Sequence, residues 1–350
     1  MKHPFSFLEK LSSRFSRPRL GIDLGTVNSL VSVVGQGIVL NEPTVVAVSV
    51  DDRRVVAIGH EAKAMLGRTP DHIMASRPLR DGVIADYAIT RALLAYFIDR
   101  VCGQSRFLRP DVMICVPVGV TSVERRAVVD ATLSAGARHA YLIDEPVAAA
   151  IGAAVPIGEA SGSMIIDIGG GSSEIAVISL GGVVAHHSVR VAGNKIDDAI
   201  ARYLRRKHNL LVSDRMAELL KIQLGNADDK ALSKEKTTAV RGRDLVEGLP
   251  ATVTISEVEV NEAMQEPIRA ILSGMKKVLE TTPPELSSDI IDKGIIMSGG
   301  GSLLKNLDVF FTHELGVPCH VAENALMCVA IGTGMAMESM HAYQKSIRRR

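Results

Sequence analysis

Two short stretches place a carboxylate at the end of an apolar run and follow it at once with glycine and hydroxyl side chains: GIDLGTVNSLVSVV at 21–34 and IIDIGGGSSEIAVI at 165–178. They align at a constant offset of 144, which matches Asp23 with Asp167, Gly25 with Gly169, Ser29 with Ser173 and Val33 with Val177. One glycine-rich turn is ambiguous between an Asp-capped hairpin and a phosphate cradle. The pair favours the cradle, because two opposed turns surround a polyphosphate with backbone N–H groups only where no side chain blocks the approach. An Asp at each strand end can then hold hydrated Mg²⁺, which keeps most of its waters and accepts few protein ligands.

A third cluster, GIIMSGGGSLLKNLDVF at 294–310, runs from a strand through Gly299, Gly300 and Gly301 toward an amphipathic helix expected over 302–315. A nucleoside or its α-phosphate beside a helix N-terminus suits that pattern. In YLIDEPVAAAIGAAV at 141–155, Asp144 and Glu145 precede Pro146, a good helix start. Two acids exceed what a cap needs, and the surplus one can orient a water for attack on a terminal phosphate. Thr121 and Glu124 have capping-box spacing, and Arg125 and Arg126 beside them read as surface or inter-domain residues. In MAELLK, Glu218 and Lys221 share a helical face, as a surface ion pair or as a ribose and base clamp.

Short β-branched runs that alternate with longer helical patterns must position these groups. Strand candidates include RLGIDLGT, SLVSVVG, TVVAVSV, DVMICVPV, SMIIDIG, EIAVISLGG and KGIIMSGG. Helices are expected over 90–101, 121–136, 146–154, 195–208, 214–224 and 257–280 as well as 302–315. This alternation predicts α/β layers, and the repeat predicts a duplicated fold whose halves face each other.

At 350 residues, 47% hydrophobic and 23% charged, the chain is large enough for two cores. Its four cysteines, Cys102, Cys115, Cys319 and Cys328, lack paired metal-ligand spacing and predict buried, reduced thiols. Residues 1–20 carry five Lys/Arg against Glu9, and residues 341–350 carry Lys345, Arg348, Arg349 and Arg350 with no acid, so each end holds +4 and the body −7 within a total of +1. That distribution argues against nucleic acid as a partner. Basic termini suit an acidic membrane face or are solvated ends. Read as a helix, residues 1–17 align Phe5, Leu8, Leu11 and Phe15 beside Lys2, Lys10, Arg14 and Arg17, which fits an interfacial helix or a docked leader. Glu9 and Lys10 break the apolar core that a secretory signal needs.

The motifs GIDLGT, VERRAVVDA, IDEPVAAAIG, IIDIGGGSSEIAVISLGG, LETTPPELSSDI and SGGGSLLKNLD together resemble the MreB family of bacterial actins, from about Leu20 to Met337. Heat-shock chaperone ATPases, sugar kinases and plasmid-segregating actins share the hairpins but not TPPEL or VERRA. The resemblance implies an actin-like ATPase fold of two duplicated α/β domains with a nucleotide cleft between them. Subdomain IA would comprise 20–46, 80–159 and 329–350, IB 47–79, IIA 160–195 and 260–328, and IIB 196–259, after a basic amphipathic segment at 1–19.

The same resemblance implies site roles. Asp23 and Asp167 match the aspartates that hold Mg²⁺ through water. Thr26, Val27 and Asn28, with Gly169, Gly170, Gly171 and Ser172, match the phosphate turns, and Gly300, Gly301, Ser302 and Leu303 the adenosine-side turn. Glu218 and Lys221 match the ribose and adenine pair, and Glu145 the glutamate that positions the hydrolytic water. Phe107 and Leu108, in GQSRFLRP, match a membrane-inserting loop, the alternative being a loop tucked onto the core. Implied in turn are a weak ATPase, ATP and Mg²⁺ as cofactors, homopolymer filaments, the inner face of the cytoplasmic membrane, and membrane proteins of the cell-wall elongation complex as partners. The chain departs from the family at Ser172 and Ser173, usually threonines, at Asn194, usually Asp, and at Asn324 and Ala325, usually Asp-Pro. These changes make a diverged scaffold with little hydrolysis the alternative.

Overall fold

In the computed structural model, which describes residues 17–103 and 109–349, each of the two aligned stretches is a β-hairpin. Strands β1 (Arg19–Leu24), β2 (Asn28–Val33) and β3 (Gly37–Pro43) form an antiparallel meander. A small sheet of β4 (Val46–Ser49), β5 (Val55–Ile58) and β6 (Ile73–Ser76) follows, with helix α1 (His60–Met65) between its last two strands. The short hairpin of β7 (Leu79–Arg80) and β8 (Val83–Ile84) leads to α2 (Tyr87–Cys102), β9 (Asp111–Val116), α3 (Ser122–Ser134), β10 (His139–Asp144) and α4 (Glu145–Gly152).

The second half repeats the plan. The strands β11 (Ser163–Ile168), β12 (Ser173–Ser179) and β13 (Gly182–Val189) form its meander. After them come α5 (Gly193–His208), β14 (Leu210–Leu211), α6 (Asp214–Leu224), β15 (Thr237–Asp244), β16 (Pro250–Ser256), α7 (Glu257–Thr281) and α8 (Pro284–Lys293). The chain continues through β17 (Ile295–Ser298), α9 (Leu307–Leu315), β18 (Cys319–Val321), α10 (Cys328–Glu338) and β19 (Ile347–Arg349).

One main sheet has the order β19-β10-β9-β1-β2-β3 and the other β13-β12-β11-β17-β18. Without β19, each is an antiparallel meander whose first strand pairs in parallel with a strand far along the chain, β1 with β9 and β11 with β17. Duplication in sequence is thus duplication in topology. All six residues of β11 are buried, as expected for a strand covered on both faces.

The halves share a core. Met113 and Ile143 of the first sheet, Ile165 and Ile178 of the second, and Val147, Ile151, Val329 and Met337 from α4 and α10 form one buried cluster. These two helices touch through small residues: a Cβ on Gly332 would lie 1.8 Å from the Ala148 carbonyl oxygen, and one on Gly152 1.9 Å from that of Cys328.

Three helices, α1, α8 and α10, lie outside the segments expected to be helical. Helix α10 is apolar nearly all round, so it lacks the amphipathic stripe that marks a surface helix. The helix expected over 302–315 divides instead into a 3-10 turn, Gly300–Leu303, and α9. The break is at Asn306, which adopts left-handed backbone with φ 58°.

Candidate functional site

The two hairpin turns meet face to face. A Cβ on Gly170 would sit 2.2 Å from Val27 Cγ2, and one on Gly171 2.6 Å from Thr26 Oγ1. Glycine is therefore required here by the facing turn itself, before any ligand is considered. The first turn is braced by Thr44, whose hydroxyl donates to the Gly25 carbonyl at 2.6 Å, and Thr26 Oγ1 accepts the Gly82 N–H at 3.2 Å. The second is held by the start of α5, where the N–H groups of Gly193 and Asn194 donate to the carbonyls of Gly169 (3.1 Å) and Gly170 (2.8 Å). Asn194 is thus placed on the glycine turn through its backbone.

Three buried acids, Asp23, Asp167 and Glu174, and the half-buried Glu145 converge behind these turns. Strand pairing sets Asp167 opposite Glu174 and, on its other side, beside Ser298, whose hydroxyl donates to Asp167 Oδ1 at 2.6 Å. Cys115 Sγ donates to Asp23 Oδ1 at 3.4 Å. Burial, and then the charge of Asp167, push the Asp23 carboxyl up to about 7. Burial pushes Glu174 up to about 7, against hydrogen bonds from Ser188 and Val118. Glu145 is raised well above the ordinary carboxylate range by burial and then by Asp167, Glu174 and Asp23. Burial also raises Asp167, and the Ser298 hydroxyl bonded to it offsets part of that rise. Such a cluster lacks positive charge. Among the described residues no three His, Cys, Asp or Glu side chains form a metal cage, and a cation held through water needs none. The chemistry of this donor set fits hydrated Mg²⁺.

Arg125 is neither a surface nor an inter-domain residue. Its guanidinium is mostly buried, pairs with Asp144 Oδ1 at 2.9 Å and donates to the Val118 carbonyl at 3.1 Å. The physical cause lies in α3, whose capping box at Thr121 and Glu124 fixes the first turn and directs Arg125 at the end of β10. Asp144 precedes α4 without making a side-chain cap, so its carboxylate serves the arginine, and the adjacent Glu145 enters the acid cluster.

The outer residues divide. Lys221 takes Asp197 as its ion partner, Nζ to Oδ1 2.8 Å, and donates to the Gly193 carbonyl at 3.2 Å, which corrects the surface pair with Glu218. Lys221 therefore reaches the base of the second turn from α6. Glu218, one turn earlier on the same helix, is half-buried. In the 299–303 segment a Cβ on Gly299 would meet the Ile168 carbonyl oxygen at 2.3 Å, and one on Gly301 would meet Ile168 Cγ2 at 2.3 Å, so strand β11 itself demands two of the three glycines. Ser302 is buried and donates to the Ser298 carbonyl, whereas Leu303 is exposed.

Sequence reasoning missed Asn226, which is wholly buried. Its Oδ1 accepts from Asn306 Nδ2 at 3.0 Å and its carbonyl from Asn261 Nδ2 at 2.8 Å, tying α9 and α7 to the loop after α6. Nothing in the spacing of three scattered asparagines marks that hub. Glu174 was missed as well, although its place in the strand after the turn, opposite Asp167 across the hairpin, offered a signal.

Two cavities, of about 290 and 220 Å³, open beside the 117–120 loop, and neither is lined by the three glycine turns. Phe5, Leu8, Leu11, Phe15, Phe107 and Leu108 lie outside the described residues. Among the described residues no helix is long and apolar enough to cross a membrane.

Two facing hairpins on duplicated sheets, with buried acids at the strand ends, define an actin-like α/β protein. The solved structure of MreB5 of Spiroplasma citri bound to ADP superposes with a TM-score of 0.88 at 36% identity, covering 93% of this chain and 97% of that one, and its AMPPNP-bound form matches equally. The MreB/Mbl protein family matches residues 17–345, and the chain belongs to that family. It is 50% identical to cell shape-determining protein MreB of Escherichia coli (strain K12) over 337 residues, which is 95% of this chain and 96% of that one. It is 48% identical to cell shape-determining protein Mbl of Bacillus subtilis (strain 168) over 326 residues, 93% of this chain and 97% of that one.

Proposed function

We propose that this chain is a bacterial actin that binds ATP with Mg²⁺ between its two hairpins, polymerises on the inner face of the cytoplasmic membrane and organises cell-wall elongation to maintain rod shape. The observation that carries the reading is the cluster of Asp23, Glu145, Asp167 and Glu174 at the meeting of the two turns, in a chain of the MreB/Mbl family. The nucleotide-bound relatives and the shape-determining names of others support it.

Asp23 and Asp167 would hold Mg²⁺ through its waters. Thr26, Val27 and Asn28 with Gly169, Gly170, Gly171 and Ser172 present donors to the phosphates. Lys221 and Glu218 take the ribose and base side, and Gly300, Gly301, Ser302 and Leu303 the adenosine side. A hydrated Mg²⁺ would supply the positive charge that the buried acids lack and neutralise the phosphates. Glu145 orients the attacking water. The products are ADP and phosphate, and hydrolysis weakens the polymer. The chain divides into four subdomains with the boundaries set out above, a reading supported by the presence of two main sheets and two three-stranded sheets. The basic ends and the apolar residues Phe5, Leu8, Leu11, Phe15, Phe107 and Leu108 supply the membrane contact, and elongation-complex membrane proteins are partners beyond the filament itself.

Asn194, an uncharged side chain at the start of α5 where the family usually has Asp, supports a second reading, a scaffold that binds ATP and assembles with little hydrolysis. Electron microscopy on liposomes with ATP, ADP or no nucleotide, run beside a phosphate-release assay, separates the two. ATP-dependent filaments with phosphate release support the first, filaments without release the second, and no filament sinks both. Glu145→Ala should cut phosphate release by roughly 10²–10⁴-fold and spare ATP binding; normal turnover would remove Glu145 from its role.

A further inference from the structure

Glu174 is the one member of the acid cluster to which no role has been given. Its carboxylate is buried and accepts two hydrogen bonds from opposite halves of the molecule: Ser188 Oγ of β13 donates to Oε1 at 2.6 Å, and the Val118 N–H of the β9–α3 loop donates to Oε2 at 3.3 Å. The peptide at Val118 is engaged on its other side too. Its carbonyl accepts Arg125 Nη2 at 3.1 Å, and Arg125 Nη1 reaches Asp144 Oδ1 at 2.9 Å, directly before Glu145 at the start of α4.

These contacts form a continuous chain, from β13 through Glu174, the Val118 peptide, Arg125 and Asp144 to the residue proposed to orient water. We infer that Glu174 is a positioning residue: it clasps the 117–121 loop of the first half to the second half and, through Arg125 and Asp144, sets where α4 presents Glu145. The inference rests on the ATPase reading above and adds to it a link between the closeness of the two halves and the placement of the catalytic carboxylate.

Two physical points support a positioning role. A carboxylate that accepts from a backbone N–H and a hydroxyl is held in one rotamer, so it fixes the loop as well as itself. Displacing a catalytic group by about 1 Å can cost on the order of 10²-fold in rate, so a remote contact matters if it governs that placement. Arg125 and Asp144 are both mostly buried, and a shift at Val118 is passed to Asp144 by a short, well-packed pair rather than dissipated in solvent.

The test uses the full chain with Glu174→Ala, Glu174→Gln and Asp144→Ala. Glutamine keeps an acceptor for the Val118 N–H and a group for Ser188 while removing the charge. Phosphate release should fall about 10–100-fold in Glu174→Ala, with affinity for a fluorescent ATP analogue changed less than about threefold. Glu174→Gln should recover most of that loss, and the Glu174→Ala, Asp144→Ala double variant should be no slower than the slower single variant. Amide hydrogen exchange should accelerate in Glu174→Ala both at 117–121 and at 143–147. Faster exchange at 117–121 with 143–147 unchanged, or a Gln variant as slow as the Ala variant, overturns the inference. If the unmutated chain releases no phosphate, the ATPase reading fails, and exchange at 143–147 alone decides the relay.

Discussion

Asp23 and Asp167 occupy equivalent ends of two hairpins, and the structure shows what that costs. Each is a buried acid beside other acids, and burial with the neighbouring charge of Asp167 holds Asp23 up to about 7 against an ordinary 3.8. The folded state therefore binds the Asp23 proton more tightly than the unfolded chain does. Stability from this site is fully present below the unfolded value and is lost as pH rises from about 4 through about 7. Without nucleotide or Mg²⁺, the thermal midpoint should fall between about pH 4 and about pH 7. Asp23→Asn should flatten that slope and raise the midpoint at the alkaline end, while removing the stabilisation that Mg²⁺-ATP gives the unmutated chain. A midpoint that rises with pH over this range would refute the assignment. The trade of stability for a charged site is common where chemistry is done.

At the scale of elements, the contact of α4 with α10 joins the two halves through glycine. With 1.8 Å between a Gly332 Cβ and the Ala148 carbonyl oxygen, the obstacle is backbone, which cannot turn aside as a side chain could. Gly332→Ala should destabilise by about 1–3 kcal/mol. A Cβ on Gly158 meets nothing within 4 Å, so Gly158→Ala is the control expected to leave the thermal midpoint nearly unchanged. Equal midpoints for the two variants would show that the helices move apart freely. Sequence patterning located most strands and the long helices α2, α3, α5, α6 and α7, because apolar periodicity and capping signals are local. It passed over α10, whose faces are nearly all buried, and ran α9 through the Asn306 break, because a left-handed asparagine leaves no periodic trace.

At the scale of the whole molecule, the basic ends and the acidic body predict that adhesion to anionic membranes is separable from assembly. Phe107→Ser combined with deletion of residues 1–17 should abolish pelleting with anionic liposomes and leave nucleotide binding intact. Unchanged pelleting would remove the membrane from the reading. The buried cluster shared by Ile143, Ile165, α4 and α10 packs the two main sheets against one another through the two helices.

The sequence by itself determined the duplication, the two aspartates, the three glycine turns and the place of Glu145, because each rests on a motif spanning a few neighbouring residues. Only the tertiary structure decided what the glycines face. Val27 and Thr26 lie against Gly170 and Gly171, and Ile168 lies against Gly299 and Gly301, across 143 and 145 residues in the first case and 131 and 133 in the second. It also moved Arg125 from the surface to Asp144, turned Lys221 from Glu218 to Asp197, and made Glu174 a bridge between the halves. The reason is the same each time: a hydrogen bond or a close approach between segments distant in the chain depends on how two sheets pack, and local spacing carries no record of that packing.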